Sequence, residues 1–154
     1  MSRRAPPAWI VLEAMTIGQL SCWFSDLHLD HRKTVVAKFG FDESVLITWL
    51  KTLTLLRNVC AHHGRLWHAS ITADAPKYAN AIKSEFPSQN DCGRIFARAV
   101  VVRALLTKID LTSDWKSRFK HLFTTLPTAV LAKDGLSTAE LGLVPGWQAR
   151  PFWS

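Results

Sequence analysis

Cysteine is scarce in this sequence. Cys22, Cys60 and Cys92 are odd in number and far apart, which excludes a disulfide framework and any Cys-x-x-Cys zinc or redox motif and leaves reduced thiols in a cytoplasm as the expectation. No run approaches the roughly 18 consecutive apolar residues that a membrane span requires. The stretch most like a signal sequence, Ala8 to Leu20 behind Arg3 and Arg4, is broken by Glu13 and has no small-residue cleavage site. A soluble, unexported protein is expected. Repeats, low-complexity tracts and period-two alternation are also missing, which argues against solenoids, disorder and sheet. What is there is a chain of 154 residues, 48% hydrophobic and 20% charged, with seven Gly and seven Pro. That composition suits one compact domain with its own core. Nineteen Lys and Arg against twelve Asp and Glu leave a formal charge of +7, so an anionic partner is plausible and nucleic acid is the first candidate.

Helical spacing runs along most of the chain. Pro6 and Pro7 suit a first helical turn, and Ile10, Ala14, Ile17, Leu20, Trp23 and Phe24 predict one helix from about Pro7 to Ser25. Asp30 is a cap for a shorter helix, His31 to Phe39, which Gly40 would end. Asp42 or Ser44 can cap the clearest helix, whose seam is Leu46, Trp49, Leu53, Leu56 and Cys60 and whose stop is Gly64. Periodicity lapses from Gly64 to Asp91, apart from one short helix expected between Asp74 and Lys83. It returns at Ile95, Ala99, Val102, Leu106 and Ile109, and again at Trp115, Phe119, Leu122 and Leu126. Asn90 or Asp91 and then Ser113 are the expected caps, and Pro127 the stop. Ser137 to Glu140 reads as a capping box for one turn ended near Gly142, ahead of an irregular tail, Pro145 to Trp153. The fold class is all-α, a bundle of about five helices.

The segment that asks for chemistry closes the clearest helix: Leu56-Arg57-Asn58-Val59-Cys60-Ala61-His62-His63-Gly64-Arg65-Leu66-Trp67. At about 100° per residue, His63 falls with Leu56 and Cys60, whereas His62 projects near Asn58 and Lys51. His63 is therefore expected to pack in the seam or to help close the helix end. Arg57, Asn58, His62 and Arg65 border one polar face. Guanidinium, carboxamide and imidazole together can hold a phosphodiester and move a proton near neutral pH. RNA supplies its own nucleophile, the ribose 2′-hydroxyl, so such a site needs a base, an acid and charge stabilisation rather than a metal. One histidine does not fill both proton roles easily, but two copies across a two-fold axis would. Leu55 and Ile47, turned from the main seam, would help bury that interface. Spacing alone is equally compatible with a capped helix end that carries a solvated basic face.

The run from Leu56 to Trp67 resembles the signature of the Abi-like abortive-infection proteins, phage-defence proteins of the HEPN superfamily of helical RNases. Pro7-Ala8-Trp9, Glu13 and Thr16-Ile17-Gly18-x-Leu20-Ser21 resemble the flanking block ahead of it. Gly142-Leu143, Trp147 and Pro151-x-Trp153 resemble the one behind. The resemblance implies a HEPN-like bundle that dimerises across an Arg-x(4–6)-His motif and cleaves RNA without a metal or other cofactor. Arg57 and His62 then become the catalytic pair and Asn58 the residue that orients them, with His63, Arg65 and Glu13 in support; His63 would also satisfy the spacing limit of the motif, but the helical geometry favours His62. It further implies RNA and a second copy as partners, an RNA or protein antitoxin, and no membrane. Relatives usually carry a further segment ahead of the Pro-Trp block, so the chain is expected to be a single helical domain equivalent to the C-terminal half of longer relatives. His68 stands where the family commonly has Asn.

Other candidates carry two readings each. Glu13 either is buried and orients Arg57 or Arg65, or is exposed. His28 and His31 lie three apart, but no third and fourth metal ligand is recognisable, so no metal site is assigned. Arg94 and Arg98, one turn apart, either track an RNA backbone, as Lys51 is expected to do, or belong to a solvated basic face. Trp67, Trp147 and Trp153 either stack bases or pack in the core. Three function classes follow: a metal-independent endoribonuclease, a non-catalytic RNA-binding module, and a helical interaction protein.

Overall fold

The computed structural model of the protein describes residues 6–67, 69–72 and 74–154. It is all-α: among the described residues there are seven α-helices and five short 3-10 turns, not about five helices. The single helix expected from Pro7 to Ser25 is two, α1 (Ala8–Ala14) and α2 (Ile17–Asp26). The break is written in a local motif. Thr16 Oγ1 accepts from the Gln19 amide at 3.2 Å and Gln19 Oε1 accepts from the Thr16 amide at 2.8 Å, a capping box that starts a new helix where apolar spacing runs on unbroken. α1 buries none of its residues. Next come α3 (Leu29–Ala37), which begins two residues earlier than expected and puts Asp30 in its first turn, and α4 (Glu43–Ala61).

No helix forms between Asp74 and Ala79, because α4 claims the polar groups of that segment. The Thr52 hydroxyl donates to the Asp74 carbonyl, Trp49 Nε1 donates to the Lys77 carbonyl at 2.9 Å, and the Lys77 amide donates to Thr48 Oγ1 at 3.0 Å. Pro76, which has no amide to give, is buried there. The short helical element falls later, as a 3-10 turn at Asn80–Glu85. α5 (Ile95–Ile109) is capped by Arg94, since Asn90 and Asp91 sit in a 3-10 turn of their own. α6 (Trp115–Thr124) stops just before Pro127, and α7 (Thr128–Lys133), which periodicity does not announce, follows it. Ser137 does cap a single turn, Thr138–Leu141, that ends on Gly142 at φ 73°.

α5 is the centre of the molecule. Phe96, Ala97, Ala99, Val100, Val101 and Ala104 are all buried, and they pack against Val45 and Trp49 of α4 and against Trp147 and Trp153 of the tail. The expected seam is only partly right, since Ile109 is 64% exposed. A helix apolar nearly all round shows its period poorly. α6 likewise turns Trp115, Phe119 and Phe123 inward and leaves Leu122 59% exposed. Its rings reach the tail, with the Phe119 centroid 5.6 Å from those of both Trp147 and Trp153. The Arg103 guanidinium and the Lys120 ammonium then hold tail carbonyls, Arg103 Nε reaching Phe152 at 3.3 Å and Lys120 Nζ reaching Gln148 at 3.1 Å. The two tail tryptophans are core residues and do not offer faces for bases. A second apolar cluster, Phe24, Val36 and Leu46, joins α2, α3 and α4, and Ile47 packs against it. Ile47 is therefore committed within the subunit.

Candidate active site at the end of α4

α4 ends in a Schellman closure. The Gly64 amide donates to the Val59 carbonyl at 2.8 Å and the His63 amide to the Cys60 carbonyl at 3.1 Å, which satisfies carbonyls that the last turn would otherwise orphan. His63 occupies the left-handed position at φ 54°, where glycine is usual and a side chain costs roughly 1–2 kcal/mol. Glycine is needed one residue later for a different reason. A Cβ on Gly64 would lie 2.7 Å from Val59 Cγ1 and 3.0 Å from the Val59 carbonyl oxygen. His63 thus helps close the helix through its backbone. Its ring is exposed and does not enter the core seam, because the helical rotation that would carry it there stops at Ala61.

The terminus presents a set of exposed polar side chains. Arg57, Asn58, His62 and Arg65 are all exposed, and Arg57 Nη1 donates to Asn58 Oδ1 at 3.2 Å. His62 is the C-cap, with its amide bonded to the Asn58 carbonyl at 3.0 Å. Lys51 is exposed further back along α4. Trp67 is half-buried and donates from Nε1 to Glu140 Oε2 at 3.0 Å, so the Arg65-Leu66-Trp67 segment is pinned to the turn after α7. Spacing has no means to announce a contact across 73 residues. His68 lies outside the described residues.

Three expected residues are placed elsewhere. Glu13 is exposed on α1 and meets neither Arg57 nor Arg65 among the described residues, so the buried alternative is wrong. Arg94 is the half-buried N-cap of α5. Arg98 is fully buried and cannot track a phosphate backbone. Its Nη1 donates to the Gly93 carbonyl at 2.9 Å and the Arg94 carbonyl at 3.1 Å, and its Nη2 to the Ile71 carbonyl at 2.6 Å. Desolvation by burial lowers its pKa from the ordinary arginine value, opposed by Cys92 and Asp74. The His28 and His31 rings meet edge-on, with centroids 6.2 Å apart. Among the described residues no group of three or more His, Cys, Asp or Glu is placed to hold a metal.

Beside the terminus lies a cleft between α2 and α4 of about 540 Å³, lined on the α4 side by Lys51, Thr54, Leu55 and Asn58. Leu55, expected at an interface between copies, is one of its walls. α2 comes close because Gly18 has no side chain: a Cβ there would be 3.3 Å from Thr54 Cγ2. The first turn of α2, and with it the junction to α1, therefore sits at the same end of the bundle as Arg57.

Residues 1–68 match the model of the Abi-like protein family. Over this segment the chain is similar to that family. The match takes in α1 to α4 and the whole run from Arg57 to Trp67, the residues on which the resemblance rests. No curated protein and no solved structure matches the chain. No helix among the described residues is long and apolar enough to cross a membrane.

Proposed function

We propose that the protein is a metal-independent endoribonuclease of the abortive-infection type, with Arg57 and His62 acting on an RNA phosphodiester at an interface between two copies. The observation that carries this reading is the exposed Arg57, Asn58 and His62 set at the closed end of α4, inside the Abi-like segment. The forked Arg57 guanidinium suits non-bridging phosphate oxygens, and Asn58 Oδ1 holds that fork on one side. The His62 imidazole suits proton transfer to or from the 2′-hydroxyl or the leaving 5′-oxygen. The second proton role falls to His62 of the other copy, since a two-fold axis sets equal patches face to face. Self-association is favoured by α1, which leaves Trp9 61%, Ile10 41% and Val11 40% exposed at the end of the bundle that bears the site. Apolar surface of that kind marks interaction sites. The charge of +7 suits a polyanionic substrate.

Labelled RNA incubated with the protein in EDTA tests the reading. Cleavage lost in His62→Ala and in Arg57→Ala but kept in His63→Ala is the expected result. Salt-dependent RNA binding without cleavage would replace the nuclease by an RNA-binding module, and neither activity would leave an interaction protein. A strict monomer at micromolar concentration would overturn the composite site.

A further inference from the structure

The cleft between α2 and α4 has features that the nuclease reading leaves unused. Its floor is built from small residues at helical spacing, Gly18, Ser21, Cys22 and Ser25, so α2 keeps its side chains out of the space it shares with α4. The volume, about 540 Å³, lies within the range of small-ligand sites. Three hydroxyls line it, and two are already used. Ser25 Oγ donates to the Ser21 carbonyl and Thr54 Oγ1 to the Leu50 carbonyl, each at 2.8 Å. Ser21 is different: only 4% of it is exposed, and its hydroxyl meets no hydrogen-bond partner among the described residues. Its Oγ is not sealed from solvent, so it opens to the cleft and is available to a group seated there.

We infer that this cleft receives a guanine base of the RNA strand whose phosphodiester lies at Arg57 and His62. The inference rests on the proposed nuclease and names the base that it reads. Small residues on α2 and the Leu55 side chain on α4 leave a slot for a planar ring, and Asn58 joins the slot to Arg57. The polar lining has both signs. Asp26 and Asp74 offer carboxylates for the N1–H and the exocyclic amine of guanine, and Lys51 offers an ammonium for O6 and N7. The Ser21 hydroxyl faces the same space. Uracil offers the carboxylates its single N3–H and no exocyclic amine, so this lining discriminates against it.

Titration of the full chain with GMP and with UMP, followed by amide NMR shifts, tests the inference beside cleavage mapping on an RNA of mixed sequence. Wild type is expected to bind GMP roughly tenfold more tightly than UMP, with shifts at Ser21, Cys22 and Asn58 and cuts clustered beside guanine. Cys22→Trp, which fills the slot from an exposed position, is expected to abolish both preferences with an unchanged far-UV spectrum. Asp26→Asn, also at an exposed residue, serves as the second variant and is expected to weaken GMP alone. Equal affinity for the two nucleotides, or a GMP preference that survives both variants, overturns the base pocket. Cuts at all bases alike would sink the pocket and leave the nuclease standing. GMP preference without any RNA cleavage would sink the nuclease and leave the pocket.

Discussion

Replacement of Arg98 by Met should destabilise the protein by about 2–4 kcal/mol, and the structure says where the loss comes from. Methionine keeps much of the apolar stem and removes the guanidinium, which donates to three carbonyls, those of Ile71, Gly93 and Arg94. They are not equally dependent on it. The Gly93 carbonyl also accepts from the Ile71 amide at 2.9 Å, and the Arg94 carbonyl, as that of the N-cap, enters the ladder of α5. Among the described residues only the Ile71 carbonyl, which is part-buried, then loses its partner, at about 1–3 kcal/mol for a group left unsatisfied. The two remaining bonds add about 1 kcal/mol each, net of hydration. Relief from burying a charge returns part of the sum. Urea unfolding read by tryptophan fluorescence gives the free energy directly, and for a chain of this size a loss of 3 kcal/mol corresponds to a melting temperature lower by roughly 6–12 °C. Amide exchange should quicken first at Ile71, the residue that pairs with Gly93. A variant within about 0.5 kcal/mol of wild type, the range of surface substitutions, would refute the argument that this guanidinium fastens the 69–72 segment to α5.

His63→Gly should stabilise the fold by about 1 kcal/mol, because it removes a side chain from the left-handed position at φ 54°, and it should keep RNA cleavage. Stabilisation accompanied by loss of cleavage would move the catalytic role to His63. Gly64→Ala should cost about 1–3 kcal/mol, since its Cβ would lie 2.7 Å from Val59 Cγ1, and an unchanged urea midpoint would contradict the closure described for α4. The single tyrosine gives a clean pH test. The Tyr78 hydroxyl donates to the Pro87 carbonyl at 2.8 Å, and burial, then Cys92 and Asp91, raise its pKa above the ordinary value of 10.0. A phenol that ionises later in the folded state than in the unfolded one contributes stability below the ordinary tyrosine pKa, and that contribution is lost as pH rises through the folded value. Phenolate absorbance should therefore lag behind that of the urea-unfolded chain, and coincident titrations would show that burial does not act on this group.

The all-helical class was legible because alternation is missing and apolar residues return every three or four positions along most of the chain. α4 was legible almost to the residue, since Asp42 and Gly64 bracket a strong seam and the Schellman closure falls at its end. The Thr16-x-x-Gln19 capping box was equally readable, although unbroken apolar spacing from Ile10 to Leu20 hides it when periodicity alone is followed. At the site, the linear order from Arg57 to Trp67 places guanidinium, carboxamide and imidazole within two helical turns, and no folding argument is needed for that proximity.

Burial of charge was decided elsewhere. Arg94 and Arg98 look alike in sequence, one turn apart in an apolar helix, yet one is a half-buried cap and the other is sealed in the core among carbonyls contributed by the 69–72 segment and the turn before α5. Local spacing carries a helix's own geometry, whereas the partners of a side chain come from distant segments that only packing brings near. The same reason separates Glu13, exposed on a helix that buries none of its residues, from the pairing an apolar neighbourhood suggests. It also separates Ser21, an ordinary small polar residue in the chain, from a hydroxyl that opens to the cleft between α2 and α4. What the residues determined alone was the helical class and the linear order of guanidinium, carboxamide and imidazole at the end of α4. The tertiary structure decided which charges and hydroxyls water reaches, because exposure belongs to the assembled surface and to no single stretch of chain.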